Sequence, residues 1–312
     1  MSNGVTPAVT KARRMRDLIN DCAICISPGV YDGYSVRLVE QCGYLTASTS
    51  GAGIANSRLG KSESLGVMAL MENVDACRAI AGAVDIPVMA DADTGYGNAV
   101  TVFQTVQYFE AAGIVGINIE DQTYPKRCGH YAGKELIDAR EFAKKIEAAV
   151  SARRDPDFII VARTDAIAVS GIDEAIRRAK LYAAAGADMI FPDAVRNEDQ
   201  IRRFVDEVRI PITINMGLGI RSRATTPLIT MKRLEAMGVA RASLPRMLPS
   251  AAIAGMKKAL QLMRGSAESG EVVDRPDLLV GVEEIMALIG DDQVSELERK
   301  FLLPEQLEKK YG

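Results

Sequence analysis

One piece of punctuation recurs along this chain and constrains its fold more than any other feature. An amphipathic stretch ends in a small residue and Gly, and a short apolar run follows at once. It appears at Gln41-Cys42-Gly43-Tyr44-Leu45, Ala111-Ala112-Gly113-Ile114-Val115, Ala185-Gly186-Ala187-Asp188-Met189-Ile190 and Ala236-Met237-Gly238-Val239-Ala240. Gly just past a helix end takes the left-handed cap conformation, and each run is short enough to be a buried strand. Helix, Gly and strand repeated at long intervals mark βα units built around a parallel sheet.

Eight candidate strands can be placed: Ala23–Ser27, Tyr44–Thr46, Pro87–Ala90, Gly116–Ile119, Phe158–Ala162, Met189–Phe191, Ile212–Asn215 and Ala240–Leu244. The clearest helical stretches between them are Asn73–Ala83, Val100–Ala112, Ala139–Ala152, Ile172–Ala185, Asn197–Glu207 and Met231–Met237. Eight such units predict a closed (β/α)8 barrel, an α/β TIM barrel. The alternative, an open doubly wound sheet, normally carries a Gly-rich first turn, and no G-x-G-x-x-G follows an early strand here. We therefore expect a barrel domain over residues 1–264 that includes a short N-terminal helix, and a helical extension over 265–312. Gly265, Gly270 and Pro276 read as a loop, followed by helical stretches Pro276–Leu288 and Val294–Leu302. These lie outside the eight units, yet Leu278, Leu279, Val282, Ile285 and Met286 recur at helical spacing. They need a surface to cover them, which predicts a homo-oligomer.

Composition narrows the functional classes. Of 312 residues, 48% are hydrophobic, ample for a large core, and 38 Lys+Arg against 41 Asp+Glu leave a net charge of −3. That balance argues against a dedicated nucleic-acid binder. The apolar runs fall short of the roughly 20 residues needed to span a bilayer. No apolar block resembling a signal peptide follows Lys11, Arg13, Arg14 and Arg16. Five Cys is an odd, sparse count, so free thiols in a reducing compartment are expected, and with them a cytoplasmic location.

In a barrel, functional residues gather at the C-terminal ends of strands. The third strand runs into Asp91-Ala92-Asp93-Thr94-Gly95, the fourth into Glu120-Asp121, the fifth into Arg163-Thr164-Asp165, the sixth into Asp193 and the seventh into Asn215. Alone, Asp-x-Asp more often begins a loop or caps a helix. With Glu120 at the next strand end, the three carboxylates either share a cation or raise one another's pKa. All-oxygen donors suit Mg²⁺, or Mn²⁺, rather than zinc, and a single His rules out multi-His zinc sites.

A second focus is Lys126-Arg127-Cys128-Gly129-His130, which holds the only His in the chain. Taken alone, Cys-Gly-His more often means a buried thiol and a surface imidazole. Lys126, Arg127 and a protonated His130 would each lower the pKa of Cys128, and such a thiol exchanges protons near neutral pH. No G-x-S-x-G elbow is present to support a Ser-His-Asp hydrolase.

Four segments stand in order: Gly29-Val30-Tyr31-Asp32, Asp91-Ala92-Asp93-Thr94-Gly95-Tyr96-Gly97, Glu120-Asp121-Gln122 with Pro125-Lys126-Arg127-Cys128-Gly129-His130, and Ala162-Arg163-Thr164-Asp165. Together they resemble the isocitrate lyase/phosphoenolpyruvate mutase superfamily, from about Gly29 to Met263 with a weaker echo in Val294–Phe301. The Lys-Arg-Cys-Gly-His box resembles its carbon–carbon lyase branch: methylisocitrate lyase, dimethylmalate lyase and oxaloacetate-cleaving relatives. Carboxyvinyl-carboxyphosphonate phosphorylmutase shares the Cys box.

The resemblance implies a Mg²⁺ site at Asp91, Asp93 and Glu120. It also implies substrate contacts from Ser50, Gly51, Ala52, Arg127, Gly129, Asp193 and Asn215, and a loop closing over Lys126–His130. Cys128 would be the acid that protonates the leaving enolate, and Arg163 would bind the reacting oxygens. The substrate would be a small carboxylate, and the assembly a tetramer whose C-terminal helices are exchanged between subunits.

The chain also departs from the family pattern. Ser48 stands where isocitrate-type lyases carry a Tyr, and Glu63 is one residue out of register with an acidic position. Asp193 replaces a Glu, and Asn215 leads into a longer segment with Arg221 and Arg223. The leading expectation is a carbon–carbon lyase acting on a substituted malate or isocitrate-like acid. Phosphonate or oxaloacetate chemistry, and a non-catalytic binding barrel, are the competing ones.

Overall fold

A computed structural model of the chain describes residues 9–21, 23–127, 133–220 and 226–311. Its strands are β1 (Cys25–Val30), β2 (Ala47–Thr49), β3 (Val88–Asp91), β4 (Gly116–Glu120), β5 (Ile159–Thr164), β6 (Met189–Pro192), β7 (Thr213–Asn215) and β8 (Arg241–Leu244). The eight lie in the order β6-β5-β4-β3-β2-β1-β8-β7, every pairing parallel. A parallel bridge between Ile190 of β6 and Ile212, just before β7, closes the ring. This is the (β/α)8 barrel that the punctuation predicts. The four punctuating glycines, 43, 113, 186 and 238, all have φ of 80–100°.

Seven strands overlap their expected positions, and one is displaced. β2 begins just after the expected Tyr44–Thr46. Leu45 is 64% exposed, whereas Ala47, Ser48 and Thr49 are buried. The apolar pair Tyr44-Leu45 imitates a strand, while Ala-Ser-Thr carries no hydrophobic signal despite facing the crowded interior.

The surrounding helices bury one face each. The helix Ala139–Ala152 is representative. Asp138 caps it by accepting from the amides of Arg140 and Glu141, and Phe142, Ala143, Ile146 and Ala149 turn inward. Phe142 meets Tyr182 edge-on at 4.6 Å. The N-terminal helix Lys11–Asn20 closes the other end of the barrel. Its Met15 and Ile19 pack against Cys25, Met89, Ile159 and Met189 near the strand starts. Burying a side chain like Met15 contributes about 1.5–3 kcal/mol. The interior is full at this level: a Cβ on Gly116 would lie 2.7 Å from the Ile159 carbonyl oxygen. Going up the strands, the interior changes from apolar to polar, through Ser27, Ser48 and Thr213 to Asp91, Glu120, Arg163 and Asn215. That gradient places the chemistry at the C-terminal rim.

Residues 1–249 form one compact unit and 250–312 a second. The helix Met247–Ser269 runs through Gly265, so the loop expected from about residue 265 begins at Gly270. The helices that follow are Val282–Ile289, Asp291–Phe301 and Pro304–Tyr311. The first starts later than expected because 276–279 form a turn and bend. The last was not anticipated; Pro304 is its first residue, a position that tolerates Pro. Among the described residues, no helix is long and apolar enough to cross a membrane.

Candidate active site

The C-terminal rim encloses a pocket lined by Ser48, Ser50, Ala52, Glu63, Asp91, Asn118, Glu120, Lys126, Arg163, Asp193, Asn215, Arg241 and Ser243, among others. Ser50 caps the helix Gly51–Leu59, its hydroxyl accepting from the Gly53 amide at 3.0 Å. Gly51 and Ala52 fall in the first turn, where amides have no acceptor within the helix. A Cβ on Gly51 would lie 2.7 Å from Asp91 Oδ2, so any other residue there would push the Asp91 carboxylate from its present position.

Asp93 sits two residues beyond β3 with φ of 50°, a left-handed conformation that costs a non-Gly residue about 1–2 kcal/mol. Its amide donates to Asp91 Oδ1 at 3.0 Å, and its carbonyl accepts from the Glu120 amide at 2.9 Å. These bonds hold the strained turn against both neighbouring carboxylate residues.

The carboxylates surround one cation. Lys126 Nζ lies 2.6 Å from Asp93 Oδ1, 3.2 Å from Glu63 Oε2, 3.9 Å from Asp91 Oδ2 and 4.0 Å from Glu120 Oε2. Burial alone would lower the Lys126 pKa, but Asp91, Asp93, Glu120 and Glu63 outweigh it and hold the pKa well above the usual value. Burial raises Asp93, opposed mainly by Lys126, and raises Glu120 well above the usual carboxylate range against Arg163 and Lys126.

As they stand, no three ligand side chains among the described residues form a ready metal cage. The donor set nevertheless fits a hard divalent cation. It is all oxygen and already gathered about a positive charge, and the buried Glu120 Oε2 has no hydrogen-bond partner.

Arg163 faces this cluster. Its Nη1 is 3.2 Å from Glu120 Oε2, while Nε and Nη2 grip Asp165 at 2.9 and 3.0 Å. Nη2 lies 3.5 Å from Asp193, and the guanidinium sits 5.1 Å above the Phe191 ring. Burial opposes ionisation of Asp165, but Arg163 and Lys134 together hold it well below the usual range. Lys134 Nζ bridges Asp165 at 2.7 Å and Asp193 at 3.4 Å.

The structure thus joins Ser50, Ala52, Asp91, Glu120, Lys126, Arg163, Asp193 and Asn215 in one pocket, with Asp93 reaching it through Lys126. Arg127 lines a neighbouring cleft with Gln122, Thr123 and Tyr124. Cys128, Gly129, His130, Arg221 and Arg223 lie outside the described residues.

Sequence reasoning passed over Gln122, Lys134, Asn118 and Arg241. Gln122 matters most for the loop. Its Nε2 donates to Glu120 Oε1 and to the Arg127 carbonyl, both at 2.9 Å, and its Oε1 accepts from the Arg127 amide at 3.0 Å. The residue before Cys128 is therefore tied to Glu120 through one side chain. Gln122→Ala should lower kcat/KM about 10–100-fold, the usual effect of losing a group that orients a site carboxylate. Melting should shift only a few degrees. Unchanged kinetics in that variant would remove Gln122 from the site's support.

Comparison with known proteins adds relatives. The family profile described as phosphoenolpyruvate phosphomutase matches residues 15–264. The chain is 35% identical to 2,3-dimethylmalate lyase of Eubacterium barkeri over 291 residues, covering 93% of this chain and 98% of that one. It is 39% identical to 2-methylisocitrate lyase of Aeropyrum pernix over 276 residues, covering 88% and 86% respectively. It is 36% identical to the chloroplastic carboxyvinyl-carboxyphosphonate phosphorylmutase of Arabidopsis thaliana over 301 residues, covering 95% and 86%. Among solved structures, oxaloacetate acetylhydrolase bound to 3,3-difluorooxalacetate superposes with a TM-score of 0.85 at 30% identity, over 94% of this chain and 97% of that one. Phosphonopyruvate hydrolase with oxalate and Mg²⁺ superposes with a TM-score of 0.82 at 29% identity, over 94% and 100%.

Proposed function

Because this chain belongs to the phosphoenolpyruvate mutase/isocitrate lyase superfamily, we propose that it is a divalent-metal-dependent carbon–carbon lyase. Its substrate would be a substituted malate or methylisocitrate-like 2-hydroxy acid, cleaved to an α-keto acid and a second carboxylate. The observation that carries this reading is the charge cluster at the rim, where Asp91, Asp93, Glu120 and Glu63 gather about Lys126 and Arg163 lies 3.2 Å from Glu120.

The chemistry follows from the charges. Cleavage takes the proton from the substrate hydroxyl and breaks the bond to the adjacent carbon. The electron pair is left on that carbon, next to the second carboxylate. A divalent cation, Mg²⁺ or Mn²⁺, held by Asp91, Asp93 and Glu120 would spread the charge developing on the substrate oxygens. Arg163 stays charged because Asp165, Asp193 and Glu120 outweigh its burial, so it can stabilise the same oxygens. Gly51 and Ala52 would offer amides and Asp193 and Asn215 would orient the substrate, with Gly129 and His130 beside them. Cys128 would give its own thiol proton to that carbon and regain one from solvent, to which the hydroxyl proton is released.

A test is release of α-keto acid from malate, citramalate, dimethylmalate and methylisocitrate, and consumption of oxaloacetate and phosphonopyruvate, with and without chelator. Chelator-sensitive cleavage of a 2-hydroxy acid is expected. Turnover of phosphonopyruvate alone would favour the phosphonate reading, which the Arabidopsis relative supports.

The reading extends to assembly as a homotetramer. In the unit 250–312, no described residue of the helices Val282–Ile289, Asp291–Phe301 and Pro304–Tyr311 is buried. Ile253, Met256, Leu260 and Met263 recur on one helix face at 52–71% exposure, a stripe suited to a second copy. Light scattering at micromolar concentration should give an oligomer, and Leu260→Glu should lower its mass. A wild-type monomer would refute this.

A further inference from the structure

The turn that carries two of the proposed metal ligands is held from outside itself. Asp93, Gly95 and Tyr96 all have positive φ, of 50°, 84° and 62°. Asp93 and Tyr96 are not Gly, so the turn 91–97 does not keep this shape by its own preference. Asn73, on the helix Leu70–Gly82, donates from Nδ2 to the Asp91 carbonyl at 2.8 Å and to the Tyr96 hydroxyl at 2.7 Å. Thr105, on the helix Ala99–Ala111, shares its hydroxyl between the carbonyls of Gly95 and Thr101, both at 3.1 Å. Lys145, on the helix Ala139–Ala152, donates from Nζ to the Thr94 carbonyl at 3.1 Å.

Lys145 is the unexpected member of this set. It stands on the inward face with Phe142, Ile146 and Ala149, where helical spacing calls for an apolar side chain, and it is only 5% exposed. Its hydrogen bond to Thr94 is the one it makes among the described residues, and it forms no ion pair there. Burial lowers its pKa, against the pull of the exposed Glu141 one turn back. A buried ammonium whose partner is a neutral carbonyl destabilises the fold relative to an apolar side chain of the same length.

What the ammonium holds explains its place. A donor on a carbonyl fixes the ψ of that residue. Asn73, the Glu120 amide, Lys145 and Thr105 therefore pin ψ at Asp91, Asp93, Thr94 and Gly95 in turn. With the peptides on both sides of it held, Asp93 cannot relax out of its left-handed conformation. We propose that Lys145 is a positioning residue which, with Asn73 and Thr105, clamps this turn from the surrounding helices and so presets Asp91 and Asp93 for a divalent cation. The proposal rests on the metal reading above, and Lys145 itself touches neither metal nor substrate.

The test is calorimetric Mn²⁺ binding to the full chain, with melting temperatures measured in chelator. Lys145→Met keeps the length and drops the ammonium. It should weaken Mn²⁺ about 10–100-fold, the usual effect of losing a group that orients a metal ligand. It should melt within a few degrees of wild type, because losing an unpaired buried charge offsets the carbonyl left without a donor. Lys145→Arg, which restores a cationic donor, should recover most of the affinity. Thr105→Val, which takes the hydroxyl from the Gly95 carbonyl, should weaken Mn²⁺ in the same direction.

Mn²⁺ affinity within about threefold of wild type in Lys145→Met, far short of the loss expected for such a group, would overturn the proposal. A lowered melting temperature with that affinity unchanged would make Lys145 a purely structural staple. If Lys145→Met does not fold, unchanged affinity in Thr105→Val overturns the clamp instead. Asp93→Asn separates the clamp from the metal reading. If Asp93→Asn weakens Mn²⁺ and Lys145→Met does not, the metal site stands and the clamp falls. If wild type binds no Mn²⁺, or Asp93→Asn binds it unchanged, the metal reading falls and takes the clamp with it.

Discussion

Asp93→Asn should reduce kcat/KM about 10³-fold or more while leaving the fold intact. The amide keeps the size of the side chain, and Asn tolerates the left-handed conformation at φ of 50° better than Ala would. What it loses is the negative charge 2.6 Å from Lys126 Nζ, within the set proposed to hold the metal. Removing a ligand that supports several kcal/mol of charge stabilisation in the transition state gives a loss of that order. Calorimetric Mn²⁺ binding should weaken in parallel, and far-UV circular dichroism should not change. Activity within tenfold of wild type would contradict the metal assignment.

Cys128→Ser should lower kcat about 10²–10⁴-fold with little change in KM, the range expected for losing a general acid. The other described thiols cannot take over. Burial pushes Cys77 up to about 12 and raises Cys25, while Cys42 is exposed on the outer face of the barrel, at the C-terminal end of the helix Gly33–Gln41. Arg163 keeps its proton, and Asp91, Asp93 and Glu120 are the carboxylates proposed to hold the metal. In sequence Cys128 follows Arg127, whose backbone Gln122 fastens to Glu120. Serine keeps the size but moves the pKa far above the working range. A phosphonomutase moves the phosphoryl group without protonating carbon, so the same change there would be mild. Full lyase activity in the Ser variant would remove Cys128 from the mechanism.

Much of this architecture was legible because barrels repeat one local solution. Gly43, Gly113, Gly186 and Gly238 announced the helix ends, and polar residues after apolar runs announced the rim. The weak point was β2, where burial is imposed by neighbouring strands on small polar residues that carry no apolar pattern.

At the site, residue types at strand ends were readable, but side-chain directions were not. Lys126 was read as a neighbour that tunes Cys128; the fold instead places its ammonium among four carboxylates. Lys134 and Gln122 sit in an irregular loop, where spacing says nothing about contacts. Arg241 left a signal that could have been used. A charge inside the run Val239-Ala240-Arg241-Ala242-Ser243-Leu244 is costly unless it faces something polar, and strand alternation puts it on the same side as Ser243.

The most direct test follows the proton that completes the reaction. With the best substrate found, cleavage should be run in D₂O with Mg²⁺ and the products read by NMR. Enolate formation followed by protonation from one face predicts one deuterium, of a single configuration, in the non-keto product. That deuterium should sit at the carbon formerly bonded to the carbinol carbon. Product formed without deuterium at that carbon would contradict the account.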